Sequence, residues 1–188
     1  MAAGERLPLD EYAGLDPGHP ARFANFLRRE LLDHIRPRAF FPVWDGKAGL
    51  DESCRRYEDL LRSHPADVCA LGFGENGHLA FNDPPAADFQ DPVWVKVVDL
   101  AEAFRRQQIG EGHFASVEDV PARALTMTIP ALLAARRILA VVPEGRKAGA
   151  VRRALRGPID PVCPASILRE CPHAELLLDC NSAAGVHP

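Results

Sequence analysis

Short apolar runs of strand length recur along this chain, and several are followed by segments with helical periodicity. "DVCALGF", "VWVKVVDL", "ARALTMTI" and "RILAVVP" are rich in aliphatic and β-branched residues and are bounded by glycine, proline or charge. "ARALTMTI" leads through Pro130 into a short helix, "PALLAAR", and "RILAVVP" into "GRKAGAVRRAL", while "ASILREC" and "AELLLD" complete the alternation. Two helices are predicted ahead of these runs. In "PARFANFLRRELLDHIRP" the spacing of Phe23, Phe26, Leu27, Leu31, Leu32 and Ile35 makes one face apolar, and Pro37 stops the helix. In "DESCRRYEDLLR" Asp51 is placed to cap the first turn. Strands apolar on both faces that alternate with helices predict an α/β fold: a mostly parallel, Rossmann-like sheet flanked by helices on both faces. At 188 residues and 47% hydrophobic content, residues 1–188 are expected to form a single domain.

Charge and cysteine usage narrow the function. A net charge of -4 and a pI near 6.0, with scattered arginines, supply no basic surface for a nucleic-acid backbone. The cysteines at 54, 69, 163, 171 and 180 have no C-x-x-C spacing, and their odd number argues for reduced thiols. No signal-peptide or membrane-length apolar stretch is present, so a cytoplasmic protein without membrane partners is expected.

The densest chemistry lies in "GFGENGHLAFNDPP", residues 72–85. Gly72, Gly74 and Gly77 satisfy G-x-G-x-x-G, and Asp99 ends the next strand, as a dinucleotide fingerprint requires. The crossover between them contains Pro84, Pro85 and Pro92, which leaves no room for the helix that would receive a pyrophosphate. The glycines instead indicate a sharp turn at the carboxyl end of a strand, where α/β sheets bind ligands. His78, Asn82 and Asp83 follow directly, and a histidine beside a carboxylate is a minimal proton-transfer pair. Lys147 in "VVPEGRK" stands where a strand turns into a helix, a position suited to an anionic group.

This loop resembles the active-site loop of the glucosamine-6-phosphate deaminase family, with its G-x-G-x-[DN]-G-H-[IL]-[AG]-F-N-[ED]-P pattern. "LDEYAGLDPGHPARFANFL" is similar to the family's D-E-Y-x-G-L segment and following H-P, and "ALTMTIPALLAARRILAVVPEGRKAGAV" to its A-L-T strand and lysine-bearing turn. The resemblance implies conversion of glucosamine 6-phosphate and water to fructose 6-phosphate and ammonia, without cofactor or metal. It assigns Asp10 as the base that takes the C2 proton and His78 as the group that opens the sugar ring. It further assigns Asn76 and Asp83 to orient His78, and Lys147 to bind the phosphate. A related reading is 6-phosphogluconolactonase, whose similar loop continues A-S-L-F-P; a non-catalytic sugar-phosphate-binding domain is a third.

Departures from the pattern set further expectations. Asn76 stands where aspartate is frequent, and Asp83, one methylene shorter than the usual glutamate, is expected to need a backbone shift or a bridging water to reach His78. The family's phosphate-binding arginine has no direct match in "AEAFRRQQIGEG"; Arg106 is the nearest candidate, although the register favours Gln107 or Gln108. Members carry a further strand and helix ahead of the D-E-Y segment, so the fold is expected to be N-terminally incomplete, or completed by "MAAGERLP". An uncovered sheet edge would favour homo-oligomers.

Overall fold

The computed structural model describes residues 4–110, 112 and 114–186, with Ala103 and Gln107 described in backbone alone. In chain order the elements are β1 (Glu5–Arg6), β2 (Asp10–Ala13), α1 (Phe23–Leu27), a π turn (Arg28–Leu32), α2 (Asp33–Ile35), β3 (Ala39–Phe40), α3 (Leu50–Ser63), β4 (Val68–Leu71), β5 (Val95–Asp99), α4 (Glu102–Gly110), β6 (Arg123–Met127), α5 (Ile129–Leu133), β7 (Arg137–Val142), a 3-10 turn (Gly145–Lys147), α6 (Ala148–Arg156), a 3-10 segment (Pro164–Glu170) and β8 (Ala174–Leu178). They divide into two compact units, residues 1–57 with 96–126 and residues 58–95 with 127–188.

The first unit holds a two-stranded parallel pair, β1 with β3, and most of a three-stranded sheet ordered β2-β6-β5. β2 runs antiparallel to β6, with Asp10 opposite Thr126 and Tyr12 opposite Ala124. Tyr12, Val43, Val120 and Leu125 are buried here, each large apolar side chain contributing about 1.5–3 kcal/mol. The α1 segment begins at Phe23 and ends at Arg36, which adopts a left-handed φ of 47°. Arg36 precedes Pro37, whose ring excludes right-handed helical geometry from the residue before it. The expected single apolar face is not kept: Phe26, Leu31 and Ile35 are exposed while Ala24 and Leu32 are buried. A π turn adds a residue to one turn, so residues on either side of it lose their common face.

In the second unit β4, β7 and β8 form a parallel sheet in that order, with Leu71 opposite Ala140 and Val141 opposite Leu177. Ile138, Ala140 and Val142 alternate inward, and α6 buries Ala150, Val151 and Ala154 while packing on the 3-10 segment. The opposite face carries Val68, Val141 and Leu177 at 52%, 49% and 50% exposure, whereas strands apolar on both faces predict that it is covered. Pro130 occupies the first turn of α5, where its missing N–H is no loss.

The α/β class, with parallel strands and flanking helices, is the one the alternation predicted. It differs in having an antiparallel β2–β6 pair and more than one sheet. A two-residue side-chain period is the same in both strand directions, so direction leaves no trace in the pattern.

Candidate functional site

β4 ends at Leu71, and among the described residues no helix intervenes before β5; residues 72–94 form turns and one bridge, Leu79 to Asn82. The two inner glycines are steric requirements. A Cβ on Gly74 would lie 2.0–2.5 Å from the His78 ring atoms, so this glycine makes room for the imidazole. Gly77 has φ 91°, and a Cβ there would lie 2.6 Å from the Cys163 sulfur. Gly72 is milder, with the Val141 carbonyl 3.3 Å from such a Cβ. The turn closes by Gly77 N–H donating to the Gly74 carbonyl (2.9 Å) and Gly74 N–H to the His78 carbonyl (3.0 Å).

Inside this turn Asn76, His78 and Asp83 converge. His78 Nδ1 is 2.9 Å from Asn76 Oδ1 and 3.2 Å from Asp83 Oδ1, and Asn76 Nδ2 donates to the same Asp83 oxygen at 2.8 Å. The His78 N–H also donates to Asn76 Oδ1 at 3.0 Å. Both acceptors lie on Nδ1, which sets this nitrogen as the protonated one and directs Nε2 away from the pair. Asp83 thus reaches the imidazole directly, with no bridging group, despite its short side chain. Burial pushes the Asp83 carboxyl up, but hydrogen bonds from His78 and Asn76 outweigh it and hold the group below the usual range. Asn82 is wholly buried and ties the loop to the Leu79 and Met127 carbonyls, each at 2.8 Å.

The same unit carries Lys147 in the 3-10 turn after β7. Glu144 before it has φ 80° and ψ 133°, a conformation that side chains rarely adopt. It is held by its N–H donating to Asp179 Oδ2 (3.1 Å) and by its carbonyl accepting from the Lys147 N–H (3.0 Å). Arg146 pairs with Glu144 (2.6 Å) and with Glu75 (3.3 Å), and Arg153 donates to the Glu75 carbonyl (2.9 Å). The histidine loop and the lysine turn are therefore braced by one set of arginines.

Asp10 and Arg106 belong to the first unit. Asp10 opens β2, is half-buried, and has its carboxyl pushed up to about 7 by loss of solvent, with the adjacent Glu11 adding to the rise. Arg106 is exposed on α4 and paired with Glu102 one turn earlier. The Gln107 side chain lies outside the described residues; Gln108 is buried and accepts the Tyr12 hydroxyl at 3.0 Å.

Within the second unit, a strand-end glycine turn with a carboxylate-held histidine is an arrangement chemically able to move protons. Comparison with known proteins gives this arrangement a family. The model of the glucosamine-6-phosphate isomerases/6-phosphogluconolactonase family matches residues 10–177, and the chain belongs to that family. Glucosamine-6-phosphate deaminases of Bacillus thuringiensis (strain Al Hakam) and Bacillus anthracis (strain A0248) are 34% identical over 171 residues, which is 91% of this chain and 63% of theirs. The chain thus spans about 63% of the length of these curated relatives. A solved monomeric glucosamine-6-phosphate deaminase superposes with a TM-score of 0.87 at 33% identity, covering 97% of this chain and 76% of that one. The 6-phosphogluconolactonase from Trypanosoma cruzi shares the fold, with a TM-score of 0.71 at 19% identity and coverage of 95% and 71%. No helix among the described residues is long and apolar enough to cross a membrane.

The sequence alone does not single out Glu11, the Cys163 contact with Gly77 or the Arg146–Glu75–Arg153 brace. Two adjacent carboxylates in "LDEY" were a visible signal for the first.

Proposed function

We propose that this chain carries the glucosamine-6-phosphate deaminase reaction, converting glucosamine 6-phosphate and water to fructose 6-phosphate and ammonia in the cytoplasm. The observation that carries the reading is the His78 imidazole, held through Nδ1 by Asn76 and Asp83, in a chain 34% identical to glucosamine-6-phosphate deaminases. His78 Nε2 exchanges the proton between the ring oxygen and the C1 hydroxyl, which opens the pyranose. Asp10 then takes the proton from C2 of the open-chain sugar. A carboxyl near 7 is balanced between accepting that proton and returning it to C1 of the enolamine intermediate, which leaves an imine at C2 for water to hydrolyse. The amine leaves C2 as ammonia, and water supplies the C2 oxygen. Lys147 neutralises the phosphate. Arg106 is the remaining candidate for the phosphate, although its pairing with Glu102 gives it no special support.

The test is release of ammonia and fructose 6-phosphate by the purified 188-residue chain, with Asp10→Asn as control. Equal formation of both products, lost in the variant, supports the reading. Lactone hydrolysis exceeding ammonia release, or sugar-phosphate binding without turnover, overturns it.

A further inference from the structure

Glu11 is among the most deeply placed charged groups described, at 1% exposure, and the proposed chemistry makes no use of it. Side chains alternate along a strand, so Glu11 points away from the face on which Asp10 stands. One of its carboxylate oxygens accepts the N–H of Tyr12 and of Phe23, and the other that of Ala24, all at 3.0 Å. Phe23 and Ala24 are the first residues of α1, whose own N-cap residue, Arg22, makes no side-chain capping bond. A strand residue thus fills the role usually taken by a neighbouring serine or aspartate. The fourth partner is Arg22, 3.5 Å away and 4% exposed, itself fixed by donating to the Trp44 carbonyl at 2.7 Å and lying over the Trp44 ring.

This geometry does more than cap a helix. Burial raises the Glu11 carboxyl above its usual range, and three N–H donors and a guanidinium, all of which favour the carboxylate, offset part of that rise. The two carboxylates in sequence therefore have unlike surroundings: Glu11 has a full set of donors, whereas among the described residues burial and the neighbouring Glu11 dominate at Asp10. Such a pair separates its protonation states, the supported member keeping the charge and the other holding its proton to higher pH. Among the described residues, Glu11 on its own strand and the Tyr57 phenol from α3 are titratable groups that interact with Asp10. Tyr57 donates to the Pro8 carbonyl at 2.8 Å, holding the chain just ahead of Asp10.

We propose that Glu11 is a positioning residue for the Asp10 base: it fixes the strand on which Asp10 stands and sets a donor-held carboxylate beside it. The proposal rests on Asp10 acting as the base, and its test separates the two. In Glu11→Gln the carbon-13 titration midpoint of the Asp10 carboxyl, read by NMR without substrate, is expected to fall by about one pH unit. The acid limb of kcat/KM is expected to move with it, and kcat to drop roughly tenfold or more with KM little changed. Glu11→Asp, which keeps the charge, should retain the midpoint. Removing one partner of a buried pair can prevent folding, whereas replacing both is often tolerated, so Glu11→Gln with Arg22→Met serves as the second variant. An unchanged Asp10 midpoint in every folded variant lacking the Glu11 charge overturns the proposal. A midpoint that falls in a chain with no deaminase activity supports the coupling and removes the reaction instead.

Discussion

Replacing Gly77 by alanine tests the loop geometry most directly. Gly77 has φ 91°, where an L-residue pays roughly 1–2 kcal/mol for its Cβ. The added methyl would also lie 2.6 Å from the Cys163 sulfur, about 1 Å inside ordinary contact. Cys163 is buried at the start of the 3-10 segment, and Ala165 N–H donates to the Gly77 carbonyl at 2.8 Å, so the two chains cannot simply part. Overpacking of this kind costs about 1–3 kcal/mol. Gly77→Ala is therefore expected to lose about 2–5 kcal/mol, a large share of the roughly 5–15 kcal/mol that holds a domain folded. Urea unfolding of four proteins, wild type, Gly77→Ala, Cys163→Ala and the double variant, forms a cycle that isolates the clash. Removing the sulfur should recover the steric part, about 1–3 kcal/mol, and leave the backbone part. Stability of Gly77→Ala within about 0.5 kcal/mol of wild type, or a coupling of zero in the cycle, would refute the reasoning.

Three further outcomes are expected. Asp10 keeps its proton in the folded chain between about 4 and about 7 while the unfolded chain has lost it, so stability is highest below this window and declines as pH rises through it. Asp10→Asn should abolish that decline and be more stable at pH 8 by up to the order of 4 kcal/mol, with no gain at pH 4; parallel pH profiles for the two proteins would contradict this. His78→Gln should fold normally, as judged by unchanged thermal unfolding, and lose at least about a hundredfold in turnover of the cyclic sugar. Glu144→Gly should gain about 1 kcal/mol or more by relieving φ 80°, set against an exposed pair with Arg146 worth under about 1 kcal/mol; destabilisation in urea would count against strain at this turn.

What could be read in the sequence follows the distance over which each contact acts. The triad of Asn76, His78 and Asp83 lies within one loop, so the residues that meet are neighbours in the text, and glycine spacing announces the turn. α3, β7 and α6 carry strong periodicity over several turns or strand positions and appear where expected. α4 escaped notice because "EAFRRQQIG" has few apolar residues, with Phe104 and Gln108 one turn apart on its packed side. The antiparallel β2–β6 pairing and the Cys163 contact with Gly77 depend on partners remote in sequence. The Glu11–Arg22–Trp44 chain is the extreme case, since each residue alone resembles ordinary surface charge or core.

The capping of α1 from β2 also has a consequence for the order of folding. A helix with a local cap can flicker into existence early, but α1 receives its terminal donors' partner from 12 and 13 residues away. It can gain that support only after the strand and the turn at Pro17–Gly18 have come together, which places its formation late on the pathway. Substitutions within α1, and at Glu11 where they remove the same contacts, should accordingly accelerate unfolding and leave the refolding rate almost unchanged. The start of α1 thus waits on a carboxylate that another element supplies.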